Sequence, residues 1–336
     1  MGVIVEIADA RDDAAFEEWF QPFHASERFE WPDDPGWAEH ELRVLYRDET
    51  DSEIVIAVAR NDDGLAIGSL DVSLPKRESL HVAYLLVAVD PAHRGRGVGR
   101  ALVAHGERLA RERGRTTAIG RTDERVQEGE PRSSRFARSA GYLAARVEAR
   151  RELRLPMEPP RLDALEAAST PFSAGYEVVT WTGSCSDELV DGRVDLSRII
   201  SADAPRGDLD YDEENWDVER LRNWERNVAD MDRHLLAAGA VEVSSGALVG
   251  FTEVGLPRRE PVVAYQLDTV VAREHRGHRL GMLLKIANTR AVAKRSPGTK
   301  RILTWNAVEN DAMIRVNEAM GFELVGLGTG WQKELS

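Results

Sequence analysis

The stretch DPAHRGRGVG at residues 90–99 returns in altered form as REHRGHRLG at residues 273–281. Arg94 and Arg276 head the two loops and stand 276 − 94 = 182 residues apart, too far for a solenoid and right for a duplicated domain. The flanks repeat as well. Each loop follows a strand-like run of β-branched and aliphatic residues, HVAYLLVAV at 81–89 and VVAYQLDTVV at 262–271. After each loop the pattern turns helical: Val98, Leu102, His105 and Leu109 in the first copy, Leu280, Leu283, Leu284, Ala287 and Ala291 in the second. Farther on, each copy reaches a glycine and an aromatic, RFARSAGY and RVNEAMGF, then a closing strand, LAARVEARRELRL and ELVGLGTGWQKEL. Upstream, a strand and an amphipathic helix open each unit: GVIVEI with DDAAFEEWFQPF, and YEVVTWTG with SDELVDGRVDLSRII.

Between the copies lies PMEPPRLDAL, whose prolines can continue neither ladder nor helix. The boundary is expected near residues 156–172, giving an N-terminal domain at 1–157 and a C-terminal domain at 158–336. A chain of 336 residues suits two domains of that size. Both read as mixed α/β. The longest apolar run, VAYLLVAV, is too short to cross a bilayer, and the N-terminus lacks the basic region of a signal peptide. A single cysteine, Cys185, excludes an internal disulfide and offers no metal cluster. A cytoplasmic protein without metal is the expectation. The net charge of −14 argues against nucleic acid as a partner; it leaves room for a cationic small molecule, or simply keeps the chain soluble. Oligomeric state is not written in these features.

A glycine turn between strand and helix has a definite chemistry. The helix N-terminus offers unpaired N–H groups and the positive end of its dipole. Glycines let an anion approach the backbone and tolerate positive φ, and arginines add charge-assisted hydrogen bonds. The loop should therefore cradle a pyrophosphate. It is not a dinucleotide fingerprint, because Gly95, Gly97 and Gly99 alternate strictly and Arg100 follows. Nor is it a P-loop, which needs a Lys-Ser/Thr pair.

VAVDPAHRGRGVGRALV resembles the acetyl-CoA loop of the GNAT N-acetyltransferase superfamily, whose pattern is Q/R-x-x-G-x-G/A after a strand. Arg94, Gly97 and Gly99 fill it; Arg276 and Gly281 fill it in the second copy, with Arg279 in place of the middle glycine. The family's later motif, an asparagine before a helix ending in Gly-Phe, matches NDAMIRVNEAMGF from Asn310 to Phe322, whereas Glu130 stands at the asparagine position of the first copy. The resemblance covers nearly the whole chain as two tandem GNAT units, a layout shared with mycothiol synthase without a detailed match.

The resemblance implies, in each unit, a mixed sheet splayed in the middle and flanked by helices, with acetyl-CoA as co-substrate. Val87, Ala88 and Val89 would line its pantetheine arm in unit one, and Thr269, Val270 and Val271 in unit two. The loops, Arg94, Gly95, Arg96, Gly97, Val98 and Gly99, then Arg276, Gly277, His278, Arg279, Leu280 and Gly281, would hold the pyrophosphate, with Asn310 beyond. Arg279 could itself meet a phosphate.

Acetyl transfer to an amine needs a proton acceptor, donors for the oxyanion and relief for the leaving thiolate. Aligning Val271 with Val89 sets Asp268 opposite Leu86, so only unit two has a carboxylate on the central strand. Asp268 is the expected base, with Glu253 on the neighbouring strand as substitute. The family's tyrosine acid is replaced by Asn317 in unit two and Ala137 in unit one; Asn317 could hydrogen-bond the thiolate. Unit two is thus expected to be catalytic, and unit one, with the better loop and no evident base, non-catalytic. The seven carboxylates of GDLDYDEENWDVE at 207–219, with Tyr211 and Trp216, suit a cationic acceptor or simply a solvated helix start. Two functions follow: an acetyl-CoA-dependent N-acetyltransferase acting on a primary amine of a small molecule, or a silent acetyl-CoA-binding module with a regulatory or structural role.

Overall fold

The alternation of strand and helix patterns is realised in the computed structural model, which describes residues 3–126 and 129–336. In chain order the first copy forms β1 (Ile4–Ala8), α1 (Asp13–Glu30), α2 (Glu39–Arg47), β2 (Ser52–Arg60), β3 (Ala66–Pro75), β4 (Val82–Val89), α3 (Val98–Glu112), β5 (Thr117–Arg125), α4 (Arg132–Ser139) and β6 (Leu143–Arg154). The second forms α5 (Pro159–Ser169), β7 (Tyr176–Thr182), α6 (Val190–Asp203), α7 (Val218–Asp230), β8 (Arg233–Glu242), β9 (Leu248–Pro257), β10 (Val263–Val271), α8 (Leu280–Arg295), β11 (Arg301–Ala307), α9 (Asp311–Met320) and β12 (Glu323–Glu334).

Two units result, and they do not follow the sequence boundary throughout. Unit one comprises residues 1–148, 206–212 and 326–336; unit two comprises 149–205 and 213–325. The closing strands are exchanged. In unit one the sheet runs β1-β2-β3-β4-β5-β12, and β12 pairs antiparallel with β5 from Gly326↔Arg125 to Glu334↔Thr117. Trp331 of that strand and Leu335 just beyond it sit in the unit-one core with Leu102 and Ala118. In unit two the order is β6-β11-β10-β9-β8-β7, and Leu153 and Leu155 pack with Ile302, Met320 and Phe322. The expectation that each copy keeps its own last strand is corrected. The reason is general: a strand's backbone donors and acceptors are the same whichever edge they meet, so alternation fixes its faces and not its partner.

In unit one, α3 covers the sheet face bearing Leu70, Val72 and Leu85, while α1 brings Phe16, Trp19, Phe20 and Phe23 to the other, beside Ile56, Val58 and Ala88. Trp19 Nε1 donates to Leu70 O at 2.8 Å, satisfying an indole whose residue is fully buried. Unit two repeats the sandwich. There α8 packs on Ala238, Ala240 and Val249, and α6 packs on Phe251 and Val270 across the sheet.

Candidate active site

The two central ladders open partway along. β4 pairs parallel with β5 only from Val82↔Thr117 to Leu85↔Gly120, although β4 runs on to Val89. β10 pairs with β11 only from Val263↔Arg301 to Tyr265↔Leu303, although it runs on to Val271. Val87–Val89 and Thr269–Val271 therefore present a strand edge with no ladder on that side. An extended chain can add there by backbone hydrogen bonds.

Each opened strand leads into a left-handed turn. Gly95 (φ 78°), Gly97 (φ 87°) and Gly277 (φ 89°) take positive φ, and so does Arg279 (φ 55°) where the first copy has Gly97. A side-chain carbon placed on Gly95, Gly97, Gly277 or Gly281 would meet nothing within 4 Å. The helices that follow, starting at Val98 and Leu280, have no side-chain cap. Uncapped N–H groups facing a hollow kept clear by glycine are what an anion needs, so the residues fit a pyrophosphate in both units.

The arginines are engaged within the protein. Arg94 Nε donates to Val89 O (3.2 Å), while Nη2 reaches Ser26 Oγ (2.9 Å) and Nη1 reaches Glu30 (2.5 Å). Arg276 repeats this, with Nε on Val271 O (3.0 Å) and Nη2 on Asp203 (2.7 Å). Both guanidiniums tie the loop back to its own strand and to the C-terminal end of an earlier helix, α1 in unit one and α6 in unit two. Arg279 lays its guanidinium over the Phe172 ring at 4.6 Å, and His278 Nδ1 lies 2.9 Å from Phe172 O. These side chains shape the loop. In unit one the exposed Arg96 carries the remaining charge beside the hollow. Gly99 serves packing: a side-chain carbon there would lie 3.0 Å from Phe136 of α4.

Asp268 stands at a β-bulge. The β10–β9 register shifts between Gln266↔Val254 and Thr269↔Thr252, whereas β4 meets β3 without interruption from Tyr84↔Ser73 to Val89↔Gly68. One extra residue in β10 re-aims the side chain, and Thr252 Oγ1, bonded to Asp268 O (3.2 Å) and Thr269 Oγ1 (2.7 Å), holds the bulge. The carboxylate is accessible to solvent yet crowded by protein. That crowding withdraws it from bulk water and raises its pKa; Arg193 opposes the shift and Glu214 adds to it. A reachable carboxylate of raised basicity suits proton transfer.

Glu253 is otherwise employed. It is 2% exposed and takes a two-pronged contact from Arg193, Nη2–Oε2 2.8 Å and Nε–Oε1 3.2 Å. Arg193 also stacks on Phe251 at 3.6 Å. Burial raises the pKa of Glu253 and Arg193 opposes the shift; both oxygens of Glu253, the substitute base expected from the sequence, are engaged by Arg193. Asn317 is fully buried, with Nδ2 donating to Asn306 Oδ1 at 2.5 Å; the donor expected for a thiolate is engaged inside the protein. Asn310 caps α9, its Oδ1 accepting from Met313 N at 3.2 Å. The acidic run at 207–219 divides between the units. Asp208, Asp210 and Asp212 belong to unit one, where Asp212 accepts from Ser79 N at 2.8 Å. Glu214 and Trp216 stay in unit two, the indole donating to Glu214 at 2.9 Å.

Unit one does hold a carboxylate on this face, one the sequence reading missed. Asp71 of β3 is buried, accepts from Tyr46 Oη at 2.5 Å, and has its pKa pushed up to about 7 by burial. Applying the repeat offset to Glu253 finds it, since 253 − 182 = 71.

A half-opened mixed sheet leading into a glycine-turned, uncapped helix, present twice, defines the class: acyl-CoA N-acyltransferases of the GNAT fold. Residues 14–142 match the acetyltransferase (GNAT) family model. Among solved structures, a tandem GNAT protein from the clavulanic acid biosynthesis pathway is 28% identical, with a TM-score of 0.80 over 100% of this chain and 99% of that one. A GCN5-related N-acetyltransferase from Sphaerobacter thermophilus, 17% identical, shares the fold over 99% of this chain and 96% of its own, with a TM-score of 0.66. Comparison with curated protein sequences returns no match. Residues 14–142 are thus similar to the GNAT acetyltransferase family, and the chain as a whole has the tandem GNAT fold. Among the described residues no helix is long and apolar enough to cross a membrane.

Proposed function

We propose that unit two transfers an acetyl group from acetyl-CoA to a primary amine of a small, cationic, cytoplasmic molecule. The observation that carries this is Asp268, set by a bulge at the level where β10 leaves β11. Acetyl-CoA, when bound, supplies the acetyl thioester. The loop N–H groups from Gly277 to Gly281 would hold its pyrophosphate, and the open edge at Thr269–Val271 would hold its arm. Backbone N–H groups on that edge are suited to a developing oxyanion. An amine with the basicity of lysine is almost wholly protonated at neutral pH, so Asp268 takes its proton directly or through one water. Glu214, whose charge acts on Asp268 and which already holds Arg220 at 3.8 Å, favours a cation at this place.

Unit one's loop, built to the same plan, is proposed to hold a second acetyl-CoA. The acceptor class is tested by supplying acetyl-CoA with a panel of primary amines and following released thiol with a trapping dye. Turnover should be confined to amines, with cationic ones preferred. Release only with hydroxyl or thiol acceptors would refute it.

A further inference from the structure

Asp71 has no role in the scheme above, and its surroundings differ in kind from those of its counterpart Glu253. Glu253 is neutralised by Arg193. Asp71 meets a phenol: Tyr46 from α2 donates to Oδ2, and among the described residues no cation pairs with it. Glu27 of α1 acts on Tyr46 and not on the carboxyl itself. The neighbouring strands bring no charge, since β2 sets Ile56 and β4 sets Leu86 directly opposite Asp71. A buried carboxyl held by one neutral donor keeps an oxygen, Oδ1, for a proton.

Its position matches the chemistry. Leu86 is the first residue of β4 beyond the last pair with β5, Leu85↔Gly120. Directly paired residues of an antiparallel ladder share a face, so Asp71 and Leu86 stand together on the α1/α2 face at the level where the sheet opens. Around them Trp37, Leu45, Tyr46 and Leu86 pack on the aromatic cluster of α1 while staying partly exposed. This wall is aromatic and aliphatic, unlike the charged surroundings of Asp268.

We propose that unit one carries a second transfer centre, in which Asp71 takes the proton of an amine bearing an aromatic or branched aliphatic group. The proposal rests on the reading of the unit-one loop as an acetyl-CoA cradle. In the step the amine nitrogen bonds to the thioester carbonyl carbon and the carbon–sulfur bond breaks. Its electron pair leaves on sulfur as the thiolate, and the amine proton passes to Asp71 Oδ1. Tyr46 is a positioning residue: its hydrogen bond fixes the carboxyl and lowers its pKa against the effect of burial.

The test uses the full chain carrying Asp268→Asn, with acetyl-CoA and phenylethylamine as the probe and spermidine as the contrasting cation. Thiol release with phenylethylamine should persist in this background and fall about 100-fold when Asp71→Asn is added. Asparagine keeps the bond from Tyr46, and Tyr46→Phe gives an independent reading should that variant fail to fold. Loss of the phenol should move the rate's pH midpoint above its starting value near 7. An unchanged rate in Asp71→Asn, an unmoved midpoint in Tyr46→Phe, or no release in the Asp268→Asn chain would each overturn the second centre. Failure of the unit-two reading shows separately, as undiminished turnover of spermidine in Asp268→Asn alone.

Discussion

Two buried ionic groups can be told apart by what their removal does. Arg193 and Glu253 are 1% and 2% exposed and pair at 2.8 Å. Glu253→Gln leaves a guanidinium without its counter-charge, which should cost about 3–5 kcal/mol of stability, read as a lower urea midpoint at unchanged slope. Lys285 of α8 is the reverse case. It is 2% exposed, lies 5.3 Å from the Phe322 ring, and has its pKa pushed down to about 7 by burial. Because the unfolded chain holds that proton more tightly, the ammonium opposes folding fully below pH 7, and the penalty is relieved as pH rises toward 10.5. Lys285→Met should therefore stabilise by about 2–4 kcal/mol near pH 6 and by little near pH 10. Paired urea titrations decide it; equal gains at both pH values would contradict the assignment.

Among the elements, the loops were the most legible part of the sequence and the bulge the least. Strand, glycine turn and helix are local, so their order and the open hollow follow from the residues at 81–109 and 262–291. Gly97→Val should fill that hollow and strain a φ of 87° by about 1–2 kcal/mol. Calorimetric titration should then show one acetyl-CoA per chain where the parent binds two, and undiminished stoichiometry would rule out unit one as a cradle. The bulge was present in the count, VAYLLVAV against VAYQLDTVV, but one extra residue cannot say where a ladder will yield. Partners from distant segments were beyond reach. Ser26 and Glu30, which hold Arg94, carry no mark of that duty. Neither does Arg193, which sits in an ordinary amphipathic helix.

At the scale of the whole molecule, domain duplication was legible and the exchange of closing strands was not. The exchange has a direct consequence. A fragment of residues 1–157 lacks Trp331 and Leu335, which belong to its core, and leaves the β5 edge unpaired. By circular dichroism it should lack a cooperative unfolding transition, and a peptide of residues 323–336 should restore one; independent folding of 1–157 would contradict the exchange. The division of labour between the units rests on Asp268, and one measurement bears on it most directly: the pH–rate profile of Asp268→Asn beside the parent, with acetyl-CoA and spermidine. Asparagine keeps the shape and removes the basicity, so turnover near neutral pH should fall about 10²–10⁴-fold with acetyl-CoA affinity nearly intact. Part of the loss should return at alkaline pH, where more of the amine arrives neutral. A neutral-pH rate equal to the parent's would contradict the account and remove Asp268 from the reaction.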